Sequence, residues 1–264
     1  MNILDQIIAH KRQEVAERKA ATPVGQLEQM PFFARPRTSF QRALGARPPG
    51  IVAEFKRQSP SKGVINGAAL SSEVGPAYEM AGAAALSILT DHQFFGGRAD
   101  DLLAARPLVA VPLLRKDFVV DEFQILEARA WGADVILLIA ANLSPAEVRQ
   151  LGQFAHSLGL EVLLEVHDLP ELQNSLNPYV DVVGVNNRNL KNFEVSLAVS
   201  LELADQIPAN FAKISESGLS RAEDVAQLWA AGYRGFLVGE NFMKTADPGL
   251  ACRQFIAEIL ATLP

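Results

Sequence analysis

Eight short apolar or β-branched runs alternate with amphipathic helical stretches from Gly50 onward, and this alternation limits the fold more than any other feature. The runs are Ile51–Lys56, Ala84–Thr90, Val109–Lys116, Val135–Ala140, Glu161–Val166, Val180–Asn186, Ala212–Glu216 and Gly235–Gly239. Between them lie helical patterns such as EVGPAYEMAG, DEFQILEARAWG, SPAEVRQLGQFAHSLG and SRAEDVAQLWAAG. Strands that each lead into a helix are the units of a parallel sheet. Such units close into a barrel or spread into an open, doubly wound sheet. An open dinucleotide-binding sheet needs a GxGxxG turn after its first strand, where this chain has RQSPSKG. The stretch from Gly50 to Pro264 allots about 27 residues to each unit, within the range of eightfold barrels. The expected fold is α/β: a (β/α)8 TIM barrel over residues 50–264 with an N-terminal helical extension over residues 1–49, in one domain.

Local signals agree with this layout. Gly82, Gly132 and Gly232 end helical stretches shortly before a strand, where a left-handed residue stops a helix. Ser144 with Glu147, and Ser220 with Glu223, have the spacing of a capping box. Residues 2–19 place Ile3, Leu4, Ile7, Ile8 and Val15 near one helical face, leaving Lys11, Arg12, Glu14, Glu17 and Arg18 to the others. This reads as an amphipathic helix packed on the barrel, and its mixed charge speaks against a membrane surface. MPFFARPRTSF then reads as a loop and SFQRALGA as one further short helix.

Composition excludes several functions. The 24 Lys and Arg against 30 Asp and Glu give a net charge of −6 and a pI near 5.3, the opposite of a nucleic-acid binder. The longest apolar run, Val135 to Ala141, is far too short to span a bilayer, and the charged N-terminus is no secretory signal. One cysteine, Cys252, offers no intramolecular disulfide. The expectation is a cytoplasmic protein, monomer or weak homodimer, with neither nucleic acid nor membrane as partner.

A barrel of this kind carries its active site where the strands end. Glu54 and Lys56 close the first run two residues apart and share a face. Lys116 and Phe118 share the parity of Pro112 and Leu114, whereas Arg115 has the opposite parity and points away. Glu165, Asn186 and Glu216 close the fifth, sixth and seventh runs. Taken singly, each fits an outward position or a salt bridge across the barrel end. Together they mark a site, because several charges converging on one rim are costly to desolvate.

Phosphate is the second signal. Ser217-Gly218 follows the seventh run and Gly239-Glu240-Asn241 the eighth, where backbone N–H groups and a helix start receive an anion. The loop Ser59–Gly63 adds hydroxyls and Lys62. The four histidines lack metal-ligand spacing. His10 and His156 fall in helices; His92 and His167 follow the second and fifth runs, where either could line the mouth, though exposed loop positions are the expectation. Cys252 is expected on the packing side of the last helix, and no nucleophilic serine elbow is visible. Acid–base chemistry by Lys and Glu on a phosphorylated small molecule remains, without a metal or a cofactor.

The strings IVAEFKRQSPSKG, LTDHQFFGG, LLRKDF, LLEVHD, GVNNRNL, ISESGLS and FLVGENFM resemble the successive strand-end motifs of the indole-3-glycerol phosphate synthase family, in that family's order from Gly50 to Lys244. The resemblance implies closure of an indole ring: 1-(2-carboxyphenylamino)-1-deoxyribulose 5-phosphate becomes indole-3-glycerol phosphate, carbon dioxide and water in tryptophan biosynthesis. It implies that Lys116 is the general acid at the ribulose carbonyl, a role that the lowered pKa expected of a lysine among other cations would suit. Glu165 would manage proton removal and dehydration, assisted by Glu54 and Lys56. Asn186, Arg188 and Glu216 would hold the carboxylate, hydroxyls and lysines. Ser59, Ser217, Gly218, Gly239 and Glu240 would ring the phosphate, and Phe95, Phe118, Leu137 and Leu190 would form the slot for the anthranilate ring. Glu240 stands where some relatives carry serine, which leaves its backbone N–H as the contact. A sugar-phosphate isomerase on the same barrel is the alternative enzyme, but it would want a Cys or Asp base at the early strand ends. A non-catalytic phosphate-ligand binding protein would need neither Lys116 nor Glu165.

Overall fold

The computed structural model describes residues 3–189 and 193–263. Eight parallel strands form a closed barrel: β1 (Ile51–Phe55), β2 (Ala85–Leu89), β3 (Leu113–Lys116), β4 (Val135–Ile139), β5 (Glu161–Val166), β6 (Val182–Asn186), β7 (Ala212–Glu216) and β8 (Gly235–Val238). Each strand pairs with its sequence neighbours, and β1 closes the circle on β8 with Ile51 opposite Phe236. The extension holds α1 (Ile3–Ala21), α2 (Val24–Glu28) and α3 (Phe40–Ala46). After β1 come a short antiparallel hairpin, Gln58–Ser59 against Gly63–Val64, and then α4 (Ser71–Ala81). The other helices are α5 (His92–Phe95) and α6 (Ala99–Ala105) after β2, α7 (Glu122–Trp131) after β3, α8 (Pro145–Ser157) after β4 and α9 (Leu169–Ser175) after β5. Then follow α10 (Ala198–Leu203) after β6, α11 (Ala222–Ala230) after β7, and α12 (Glu240–Met243) with α13 (Pro248–Thr262) after β8. The expected eightfold barrel with a helical extension is the fold observed.

The strands are buried on both faces, so two cores exist. One lies between strands and helices, where Cys252 of α13 is buried as expected. The other fills the barrel with Val52, Leu114, Val135, Leu137, Leu163, Val182, Ile214 and Leu237, at alternate positions of their strands. Phe40 and Leu44 of α3 complete this inner core. They enter from the end where the strands begin: Gln41 N–H donates to Glu161 at 2.8 Å and Thr38 N–H donates to Asp134 at 2.8 Å. The extension is therefore the plug of the barrel floor as well as a helix on its surface.

Several local expectations hold. Ser144 and Glu147 form a reciprocal capping box, and Gly82, Gly132 and Gly232 all adopt left-handed φ. Others need correction. Ser220 and Glu223 form no box, because α11 begins one residue later, with Arg221 as N-cap and Arg221 paired to Asp224. The third strand starts at Leu113, since Pro112 has no N–H and the carbonyls of Val109 and Val111 accept from Arg106 instead. Lys11 was expected on an exposed face of α1 and is fully buried. No helix among the described residues is long and apolar enough to cross a membrane.

The plug makes a stability prediction. Phe40 is fully buried, so Phe40→Ala should cost ~3–5 kcal/mol, as large core truncations do. Urea unfolding checks this; a loss under ~1 kcal/mol would mean the floor closes without it.

Candidate active site

The inward positions change character at the strand ends. Below lie Val52, Leu114, Leu163 and Ile214; above them, one pleat on, stand Glu54, Lys116, Glu165 and Glu216. They open into a cavity of about 510 Å³ at the C-terminal rim. Its walls include Glu54, Lys56, Ser59, Phe95, Lys116, Phe118, Leu137, Glu165, Asn186, Arg188, Glu216, Ser217, Gly218, Gly239 and Glu240. Residues far apart in the sequence are thus brought to one rim. Leu190, expected in the apolar slot, lies outside the described residues. Arg115 points into the helix layer as its parity requires, bonded to Glu127 and stacked on Trp131.

Lys116 holds the centre. Its ammonium pairs with Glu216 and lies 3.5 Å from Glu165, while Lys56 pairs with Glu54 at 2.6 Å. Burial works against the Lys116 charge, yet Glu216, Glu165 and Glu54 outweigh it and hold the ammonium pKa well above the ordinary lysine value. The expected lowering is corrected: the groups around Lys116 are carboxylates, not cations. Burial also opposes ionisation of Glu165, but Lys116, His167 and Asn186 overcome it and keep the carboxyl below the ordinary range. Glu216 goes the other way. Burial raises its carboxyl, and Lys116 only partly offsets this because Glu165 and Glu54 add like charge. Glu54 has Lys56 and Glu165 has His167, whereas Glu216 has only the shared Lys116 among the ion pairs of the described residues.

Two glycines make room for the cluster. A Cβ at Gly184 would stand 2.6 Å from Glu216 Oε1, and one at Gly239 would stand 2.5 Å from Glu54 Oε1. Around the rim, Ser217 and Gly218 both take left-handed φ, 66° and 80°. For serine that conformation costs of order 1–3 kcal/mol and needs support from its surroundings. Asn187 supplies it, donating to the carbonyls of Glu216 at 2.9 Å and Ser217 at 3.1 Å while Ser200 anchors its amide oxygen. Across the cavity, Lys62 lies 3.5 Å from Glu240, and the rings of Phe95 and Phe118 stand 6.0 Å apart.

Two contributors stand outside the expected site residues. His167 is not an exposed loop residue. Its Nε2 lies 3.4 Å from Glu165 and its Nδ1 3.1 Å from Glu171. The signal was present: residues 165 and 167 share strand parity, as 54 and 56 do. Ile3, Leu4 and Ile7 of α1 also line the cavity, and a helix periodicity alone does not say which surface it will cover.

The family model described as indole-3-glycerol phosphate synthase matches residues 4–255. The chain belongs to this family. It is 48% identical over 258 residues to the indole-3-glycerol phosphate synthase of Bacteroides thetaiotaomicron, covering 98% of this chain and 99% of that protein. Identity to the Burkholderia vietnamiensis synthase is 46%, covering 95% and 97%, and to the Albidiferax ferrireducens synthase 44%, covering 99% of each. A solved structure described as "Native KDPGal structure" aligns with a TM-score of 0.56 at 15% identity, covering 80% of this chain and 92% of that one, a likeness of fold alone.

His167 carries a pH prediction. Burial opposes its charge, but Glu165 and Glu171 push its pKa up to about 10, above the unfolded value. A raised folded pKa stabilises fully below the unfolded pKa, and the gain is lost as pH rises through the folded one. Wild type should therefore exceed His167→Gln in stability most at about pH 6, with the gap narrowing toward about pH 10. Urea midpoints at both pH values test it; a gap that widens with pH would refute the paired imidazolium.

Proposed function

We propose that this chain is a carboxy-lyase, an indole-3-glycerol phosphate synthase that closes, decarboxylates and dehydrates 1-(2-carboxyphenylamino)-1-deoxyribulose 5-phosphate. The single observation that carries the reading is Lys116 held charged among Glu54, Glu165 and Glu216 at the floor of a cavity with an aromatic wall and a glycine-bearing rim. With its carboxylate ionised, the substrate takes up one proton and releases carbon dioxide and water. The site must therefore deliver protons as well as remove them.

The Lys116 ammonium has three donors, and two are directed at Glu216 and Glu165. The third is free for the ribulose carbonyl oxygen. As the ring carbon attacks, that oxygen takes the proton, and the strong negative surroundings of Lys116 keep the acid loaded beforehand. The new C–C bond leaves an iminium next to the carboxylate, and its electron pair acceptor lets carbon dioxide depart. Glu165, ionised and oriented by Asn186 at 3.0 Å, removes the ring proton as the hydroxyl leaves as water. Glu54 and Lys56 assist that step, and Glu216 holds Lys116 in place. The phosphate lies against Ser217, Gly218, Gly239 and the Glu240 N–H, with Ser59 opposite; Arg188 and Asn186 meet the substrate carboxylate and hydroxyls. Phe95, Phe118 and Leu137 form the proposed aromatic slot. The cytoplasm is the proposed compartment, and a monomer or weak homodimer the proposed state.

Two experiments test this assignment. In rapid-quench time courses, Lys116→Ala should nearly abolish ring closure, since a positioned acid contributes ~10²–10⁴-fold. Glu165→Gln keeps size but not basicity, so a decarboxylated, still hydroxylated intermediate should accumulate; near-normal turnover in both variants would sink the mechanism. For the phosphate, Gly218 is the target that spares the carboxylates: a Cβ at Gly239 strikes Glu54, whereas one at Gly218 meets the Val195 side chain, Cγ1 at 2.5 Å. Gly218→Ala opposes a φ of 80° and should raise KM about tenfold, the equivalent of ~1.4 kcal/mol, with kcat little changed. An unaltered KM in the folded variant would move the phosphate elsewhere.

A further inference from the structure

Lys11 is the one charged side chain of α1 that is buried, and the mechanism above leaves it unused. It is fully buried, with Nζ 2.9 Å from Asp91, 3.0 Å from Asp117 and 2.9 Å from Glu14. Asp91 and Asp117 each govern a segment of the cavity wall. The Asp91 carboxylate caps α5 by accepting from Phe94 N–H at 2.8 Å, and α5 carries Phe95. Asp117 lies between Lys116 and Phe118, accepts from Phe118 N–H at 2.9 Å and from Thr90 Oγ1 at 2.7 Å, and pairs with Arg115 at 3.0 Å. One ammonium thus ties together the segments after β2 and β3, which hold both rings of the aromatic wall, the second starting directly after the central lysine.

The same helix reaches the cavity itself through Ile3, Leu4 and Ile7. Farther along, Arg18 bonds Glu127 at 2.8 Å and Lys19 bonds Asp121 at 3.0 Å, so α1 is anchored along its length to α7 and its N-cap. Without Lys11, Asp117 keeps Arg115, but Asp91 keeps no cation among the ion pairs of the described residues. An isolated buried carboxylate is costly, and the cheapest relief is movement of its loop into water.

We infer that Lys11 is a positioning residue: by holding Asp91 and Asp117 it sets Phe95, Phe118 and Lys116, so the substrate cavity is complete only while α1 is docked. This rests on the synthase reading of the cavity. Docking and ligand binding are then coupled, and the coupling is reciprocal. A merely structural lysine would lower the thermal midpoint and leave the kinetics of the folded enzyme alone.

The test uses Lys11→Met, which keeps the length and apolar stem of the side chain without its charge. At a temperature where circular dichroism shows the variant folded, KM for the synthase substrate should rise about tenfold, within the usual range of coupling between sites, and kcat should fall less. Wild-type KM and kcat in the folded variant would overturn the inference. Should Lys11→Met fail to fold, hydrogen exchange on the wild-type enzyme decides: indole-3-glycerol phosphate should slow exchange of the α1 amides, and unchanged exchange in α1 with slowing elsewhere overturns it. Absence of turnover by the wild-type enzyme would instead refute the synthase reading, which keeps the two failures apart.

Discussion

The ion pair between Lys116 and Glu216, inside a ring completed by Glu165 and Glu54, is the constraint around which the catalytic end of the barrel is arranged. Charges at the end of an apolar barrel must be neutralised locally, because the leucine and valine layer beneath them offers no polar partner. That requirement explains features that look unrelated in the sequence. Gly184 and Gly239 lack side chains where Glu216 and Glu54 need space. Asn186 and His167 add donors to Glu165, which lies farther from Lys116 than Glu216 does. A network held so tightly is poised for acid–base work, since small changes of charge in it move every other group.

The N-terminal extension works at both ends of the barrel. Phe40 and Leu44 close the floor, while Lys11, Arg18 and Lys19 fasten α1 near the rim. The two attachments differ in kind. The floor is a hydrophobic plug, with Thr38 and Gln41 bonded to Asp134 and Glu161 at its edge. The rim is polar and passes through Asp91 and Asp117 into the cavity wall. Stability and site geometry are therefore carried by different parts of one segment.

Much was legible in the chain. The strand-helix alternation and unit length indicate the barrel, because a closed parallel sheet demands regular β/α units. Strand parity selects Glu54, Lys56, Lys116, Glu165, Asn186 and Glu216, because alternate side chains of a strand must share a face. The same rule separates Lys116 from Arg115, and it would have placed His167 beside Glu165 had it been carried one residue past the strand. The motif order adds the family.

Other features required the folded molecule. The direction of the Lys116 pKa depends on which charges surround it, and those come from β1, β5 and β7, nearly the whole length of the barrel apart in sequence. Lys11 reads as a surface residue of an amphipathic helix, and only the approach of Asp91 and Asp117 makes its burial tolerable. Periodicity specifies a face but not the surface that covers it, so the seat of α3 in the floor and the contacts of α1 at the rim emerge only in the fold. Local pattern along the chain thus determined the strands, the helices and the inward residues, whose spacing is a property of the backbone alone. The tertiary structure decided the charge states and the partners of the extension, because both arise from groups that meet only when the barrel closes.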